Sequence, residues 1–443
     1  MKIIIGGAGE VGRHLSKLLS AENQDIILID DNEENLNFPN NYEIMTVVGN
    51  PTSIRDLKYA GVASADMFIG VTPEESINMT ACMLAHNLGV KKTIARVSNE
   101  EYLLPKNAEF FTGLGVGSLI CPEVLAANEI VSALRSPWSR QWWEIAGGII
   151  LIGIKIRENA PIVNKYLYDI GKDEKIYHIV AIKRDDQTII PSGSDQILQG
   201  DLLYITTTKE HVEDVKSATG KADMEINKVT IMGGGRIALK VCDLLPRSMQ
   251  IKLLEINKEK SYRIAEKVDD NILVINGDGR NTDLLIHENI KNCNAFISLT
   301  GNSEANILAC VAAKSLGVQK TIAEIENLDY IQMAEKLNIG NIINKKLIAS
   351  SHIYRFLLDA DVSTIKCLTF ANADVAELVA REGSKVTKKQ VKDLRLPKDM
   401  TLGGKICNGR AEMINGDTII QAGDHVVVFC LNTAMRKIEN YFN

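Results

Sequence analysis

The sequence has 443 residues, more than one domain needs, since domains usually take ~100–200 residues. Hydrophobic residues make up 45% and charged residues 24%, as in ordinary globular proteins with filled cores. With 50 basic and 56 acidic side chains the net charge is −6, which excludes a basic field that would attract nucleic acid or anionic lipid.

In chain order, KIIIG, DIILID, EIMTVVG, DMFIGV and KTIARV are short apolar runs of strand length. Helices are predicted over 10–20, 53–59 and 76–88, and a closing one over 122–134. Strands buried on both faces and alternating with helices predict a Rossmann-like, doubly wound parallel sheet in an α/β fold. From Trp143 to Val215 the pattern changes to GIILIGIKI, HIVAIKR and DLLYITT, with turns at Pro191-Ser192-Gly193 and Gly200-Asp201, which reads as a small α+β module. A polar, weakly patterned linker follows in SATGKADMEINK.

The same plan then returns. IIIGGAGEVG reappears as VTIMGGGRIA, Gly49 as Gly277, Leu57 as Leu285 and Thr72 as Thr300. Asn78 returns as Asn306, Cys82 as Cys310 and Tyr102 as Tyr330. Identities in one register mark a duplication. The expected domains are 1–137, 138–219, a linker over 220–226, 227–360 and 361–443.

Each large unit opens with a phosphate loop. Gly7-Ala8-Gly9-Glu10-Val11-Gly12 follows a predicted strand and opens a predicted helix. The first glycine allows the turn, the second lets a pyrophosphate approach, and the third permits close helix–strand packing at a helix N-terminus that faces the anion. Gly233-Gly234-Gly235-Arg236-Ile237-Ala238 repeats the loop with alanine in third place. Asp30 and Glu255 end the next strands, where a carboxylate accepts from ribose hydroxyls and repels a 2′-phosphate. NAD(H) or an adenine nucleotide (ATP or ADP) is therefore expected over NADP. Further candidates stand at carboxyl ends of strands: Asn50 and Asp278 after the third, Thr72-Pro73 and Thr300 at the fourth, and Arg96 at the fifth. Each has a plain alternative as a turn former or solvated side chain. The units exchange charge, with Glu10 and Arg96 in the first against Arg236 and Glu324 in the second. That pattern predicts different ligand preferences, or else two structural ion pairs, Glu10–Arg96 and Arg236–Glu324, or simply solvated side chains.

No catalytic constellation accompanies the loops. The small modules hold no His/Asp or Lys/Tyr cluster, and no Walker-type lysine loop is present. Eight cysteines form no Cys-x-x-Cys and seven histidines no ligand-spaced pair, so no metal site is expected. Cys82 and Cys310 read as small buried hydrophobes. The opening MKIIIGG lacks the features of a secretory leader. The longest uncharged apolar run, between Glu144 and Lys155, falls far short of the ~20 residues of a spanning helix. A cytoplasmic protein is expected.

These residues together resemble the TrkA family of the bacterial Trk potassium-uptake system, built from two RCK domains (regulators of potassium conductance). The match rests on IIIGGAGEVG, ILID ending at Asp30, ADMFIGVT with Asn78, and IARV at Arg96 in the first half. In the second half it rests on MGGGRIA, LLE, NGDG, ISLT with Asn306, and QAGDHVVVF. The resemblance spans nearly the whole chain. It implies a regulator without enzymatic activity, self-associated as a dimer or tetramer and lying peripherally against the inner face of the plasma membrane. Its partner would be an integral, TrkH-like potassium-translocating subunit, gated through nucleotide binding. Three departures concern ligand preference: Asn50 stands where many members have Asp, Ala238 replaces the third Gly, and Cys407 replaces a frequent Arg. The alternatives are an NAD(H)-dependent oxidoreductase, an NAD-sensing regulator of another transporter, and a DNA-binding repressor. No basic reading helix supports the last. The most basic stretch, Lys385 to Lys398, reads as a solvated helix and turn.

Overall fold

The computed structural model describes residues 1–21, 24–38, 42–170, 176–185, 187–354, 356, 362–367, 373–431 and 435–442. The first large domain runs β1 (Lys2–Gly6), α1 (Glu10–Ala21), β2 (Asp25–Asp30), β3 (Ile44–Val48), α2 (Ile54–Tyr59), β4 (Met67–Gly70) and α3 (Glu75–Asn87). It continues through β5 (Lys92–Arg96), α4 (Pro105–Gly113), β6 (Ser118–Ile120) and α5 (Pro122–Arg135). The six strands are parallel in the order β3-β2-β1-β4-β5-β6. Both faces of this sheet are covered, which is why β1 can be a run of isoleucines. Ile3, Ile4 and Ile5 are fully buried. Sequence periodicity yields five of these strands; β6 is a sixth, too short to carry a period of its own.

The first small module contains β7 (Gln141–Ile145), β8 (Ile149–Lys155), the single turn α6 (Leu167–Ile170), β9 (Tyr177–Arg184), β10 (Gln187–Ile189), β11 (Leu202–Thr208) and α7 (Val212–Ala218). Its strands form an antiparallel sheet ordered β10-β9-β11-β8-β7.

The second large domain repeats the first. It holds β12 (Lys228–Met232), α8 (Arg236–Leu244), β13 (Gln250–Glu255), α9 (Lys258–Ala265), β14 (Ile272–Asn276) and α10 (Thr282–His287). β15 (Ala295–Ser298), α11 (Ser303–Ser315), β16 (Lys320–Glu324), α12 (Asp329–Lys336), β17 (Asn341–Ile343) and α13 (Lys345–Tyr354) follow. The parallel order β14-β13-β12-β15-β16-β17 reproduces the first sheet strand for strand. The last module has β18 (Val362–Cys367), β19 (Ala373–Val379), β20 (Met400–Cys407), β21 (Arg410–Glu412), β22 (His425–Leu431) and α14 (Met435–Phe442), with sheet order β18-β19-β22-β20-β21. The basic stretch from Lys385 forms two single helical turns, Lys385–Thr387 and Val391–Asp393.

Two compact units result, and their bounds cut across the sequence domains. The first holds Met1–Leu125 together with Lys345–Phe356, and the second holds Ala126–Asn344 with Leu357–Asn443. Helix α13, expected inside the 227–360 domain, instead packs on α1. The Lys92 ammonium reinforces this by donating to the Phe356 carbonyl at 3.3 Å. Within the second unit the two small sheets meet. Thr206 Oγ1 donates to the Gly403 carbonyl at 2.8 Å, and the buried Tyr204 ring lies 5.8 Å from that of Phe429.

Candidate functional site

In both parallel sheets the order of strand addition reverses between the first and fourth strands of the domain, where ligands bind in open α/β folds. In the first domain that point is the β1–α1 loop. Gly7 has φ +106°, a conformation that L side chains rarely adopt. A Cβ on Gly12 would lie 1.9 Å from the Gly7 carbonyl oxygen, so helix and loop can close only on glycine. At Gly9 the same added carbon would meet nothing within 4 Å. The fold does not require glycine there, and its bare backbone leaves room for a pyrophosphate at the start of α1. Gly233 repeats the left-handed turn at φ +99°, and Gly235 is nearly as open as Gly9. Ala238 is fully buried in the place of Gly12, so the second loop accommodates a methyl group there.

The two acids at the strand ends close these loops. Asp30 is 9% exposed. Its Oδ2 accepts from the Ala8 N–H at 2.5 Å, and its Oδ1 accepts from the Asn32 N–H and the Asn35 amide, both at 3.0 Å. That occupies three of roughly four acceptor positions on a carboxylate and leaves about one for a ribose hydroxyl. Glu255 is built the same way, accepting from the Gly234 N–H at 3.0 Å and the Asn257 N–H at 2.9 Å. Here the third partner is a cation, Lys260, at 2.8 Å. Burial alone would raise the Glu255 carboxyl, but the Lys260 ammonium and the two backbone N–H groups outweigh it and hold it below its ordinary value.

The fourth-strand threonines are fixed by buried asparagines. Asn78 Oδ1 accepts from the Thr72 N–H (2.7 Å) and hydroxyl (2.8 Å), while its Nδ2 donates to the Thr72 (3.0 Å) and Arg96 (2.9 Å) carbonyls. Asn306 does the same for Thr300 and Glu324. One amide thus ties the ends of the fourth and fifth strands at the mouth of each crevice. In the sequence, this role is visible only as the repeated asparagine.

Asn50 and Asp278 are engaged locally. Asn50 is exposed; its Oδ1 accepts from the N–H and hydroxyl of Thr52, and its N–H donates to Asp56. Asp278 receives the Arg280 guanidinium at 2.7 Å and the Arg280 N–H at 3.0 Å. Both act here as turn formers. Pro73, beside Thr72, is exposed.

The Glu10–Arg96 ion pair offered by the sequence does not form. Glu10 pairs with Lys346 of α13 at 2.5 Å, and Arg96 pairs with Glu123 at 3.4 Å. The reason is the packing of α13 on α1, which brings a buried lysine to the loop. Arg236 is exposed and has no acidic partner among the described residues. Cys82 and Cys310 are fully buried, with thiols pushed up to about 12 by burial. Among the described residues, no cluster of three or more His, Cys, Asp or Glu side chains is arranged to hold a metal ion. None of the described helices is long and apolar enough to cross a membrane.

Two Rossmann crevices in tandem, each joined to a small antiparallel module, define a nucleotide-binding regulatory protein of the RCK type. The TrkA-N domain model matches residues 3–122 and 229–345, and the TrkA-C domain model matches 151–220 and 375–443. The chain belongs to the TrkA family. It is 29% identical to Trk system potassium uptake protein TrkA homolog 1 of Methanosarcina mazei, over all of both chains. It is 31% identical to the Trk system potassium uptake protein TrkA of Vibrio alginolyticus, covering 98% of this chain and 96% of that one. Among solved structures, the GsuK channel bound to NAD superposes with TM-score 0.62 at 16% identity, covering all of this chain and 78% of that one. GsuK bound to ADP gives TM-score 0.51 at 15% identity, over 80% of this chain and 69% of that one. The TrkA family match supports a regulatory rather than a catalytic protein, and the GsuK likenesses support the fold.

Proposed function

We propose that this chain is the nucleotide-sensing regulatory subunit of a potassium-uptake transporter, lying on the cytoplasmic face of the membrane as a homo-oligomer. The observation that carries the reading is the twice-built crevice, with an open glycine at a helix N-terminus and a carboxylate at the next strand end. Gly7 to Gly12 with Asp30 would hold the pyrophosphate and ribose in the first crevice, and Gly233 to Ala238 with Glu255 in the second. Asn50, Thr72, Pro73, Arg96, Asp278 and Thr300 line the strand ends from which the base and phosphates would be reached. Family members named as potassium uptake proteins support the transport role, and GsuK structures holding NAD or ADP support NAD(H) and adenine nucleotides as the ligands. Binding in a crevice would change the geometry of the attached small module, and the membrane subunit of Trk type would read that change.

Affinity purification from membranes, with and without NADH, NAD, ATP and ADP, tests the proposal. A membrane potassium transporter should co-purify, and light scattering should give a mass of at least two chains of 48.8 kDa. A strict monomer that captures no membrane transporter overturns it.

A further inference from the structure

The second compact unit contains a second concave site, whose lining shares no residue with either phosphate loop. An open cavity of about 990 Å³ lies where the first small module, the linker after it and the second parallel sheet converge. Its wall is strongly basic. Arg140, Lys155, Arg157, Lys221, Lys314 and Lys320 all line it.

The neighbours of these cations are mostly neutral. Lys320 is buried, and its ammonium donates to the carbonyls of Pro137 (3.1 Å) and Ser139 (2.9 Å) and to Asn341 Oδ1 (2.9 Å). Lys221 donates to the Lys155 carbonyl at 2.7 Å, Lys314 to the Asn338 carbonyl, and Arg140 to the Asn338 side chain. Three carboxylates share the wall, but two are engaged by other cations: Glu335 by Lys183 at 2.5 Å, with its charge also acting on Arg140, and Asp223 by Lys216. The third, Glu158, is exposed. Among the described residues no carboxylate forms an ion pair with Arg157, Lys221, Lys314 or Lys320.

The cations therefore act on one another. Burial, then Arg157 and Arg140, push Lys221 down to about 8. Burial, then the same two arginines, lower Lys314, and burial with Arg140 holds Lys320 well below its ordinary value. Like charges collected in a desolvated cleft raise one another's cost, and an anion relieves it.

We propose that this cavity binds a multivalent, phosphate-bearing anion of the pyrophosphate type, held by Arg157, Lys221 and Lys314 with Arg140 and Lys320 behind them. Guanidinium and ammonium groups converging on one space suit phosphate oxygens in charge and in hydrogen-bond geometry. The position gives the site a consequence. Arg157 belongs to the small module, Lys221 to the linker and Lys314 to the second parallel domain, so one anion would clamp all three. The polar segment over 220–226 would be part of a ligand site as well as a tether.

Titration calorimetry of the full-length chain with inorganic pyrophosphate, in the presence of saturating NADH and at fixed ionic strength, tests this. Wild type should bind pyrophosphate, and Arg157→Ala and Lys221→Ala should each weaken that binding by about ten-fold or more. Retained NADH binding in both variants shows that they are folded, and Arg157 is exposed in any case. A parallel titration with ATP separates two sources of the anion. Loss of one ATP equivalent in the variants identifies the phosphate tail of a nucleotide, and unchanged ATP binding identifies inorganic polyphosphate; both support the site. No pyrophosphate binding by wild type, or binding that neither substitution weakens, overturns it.

Discussion

At Asp30, hydrogen-bond capacity limits what a ribose can gain. Three acceptor positions are filled within the protein, so one hydroxyl can bond directly and a second requires the Asn35 amide to turn away. At ~1 kcal/mol net per bond, Asp30→Ala should weaken NADH binding to the first crevice about five-fold, or more if Asn35 yields. Calorimetry on the full chain measures this, and unchanged affinity would remove Asp30 from the site. A second residue-scale expectation concerns His14 on α1. Burial, then Lys17 and Lys346, lower its pKa, and burial likewise lowers that of His178 in the first small module. The unfolded chain then takes up protons near pH 6.5 while the folded one does not, so the stabilising difference is complete above that pH and is lost as pH falls below it. The thermal midpoint should drop between about pH 7.5 and 5.5, and His14→Gln should flatten part of the slope. The loops and their acids were legible in the sequence because glycine spacing encodes a local turn. Lys346 was not legible, since nothing near Glu10 in the chain announces a partner from α13.

Among the elements, α13 departs most from a reading of independent repeats. Hydrophobic period and turn residues placed the long strands and helices, because these are local properties. The three-residue β6 was too short to register, and no periodicity tells a helix which sheet it will join. A fragment of residues 1–137 therefore carries a complete parallel sheet but leaves α1 without its partner helix. Linked to residues 345–356 through a flexible tether, that fragment should melt several degrees higher than alone. Equal midpoints by circular dichroism would show that α13 contributes little to the first unit. The same exchange means that ligand binding is best measured on the whole chain, since cutting at the linker removes α13 from one half and leaves it stranded in the other.

For the whole molecule, duplication has produced two crevices of one architecture and different charge. In the first, Asp30 is met by neutral donors and Glu10 is offset by Lys346. In the second, Lys260 stands on Glu255, and Arg236 opens the helix with no acidic partner among the described residues. A cation in the first helical turn opposes the helix dipole by ~0.3–1 kcal/mol, and a polyphosphate would reverse that cost. The second crevice should accordingly favour ATP and the first NAD(H). Arg236→Ala should weaken ATP binding to one site of the full chain about ten-fold while leaving NADH affinity unchanged; equal effects on both ligands would return Arg236 to the solvated surface. Synthesis adds a further consequence of the α13 exchange. The first parallel sheet leaves the ribosome early, yet α13 and Lys346 follow only after the whole second sheet has been translated. At ~5–20 residues per second that delay is roughly ten to forty seconds. The first crevice thus gains Lys346 beside Glu10 only long after its own sheet has been made, with the last small module still to be synthesised.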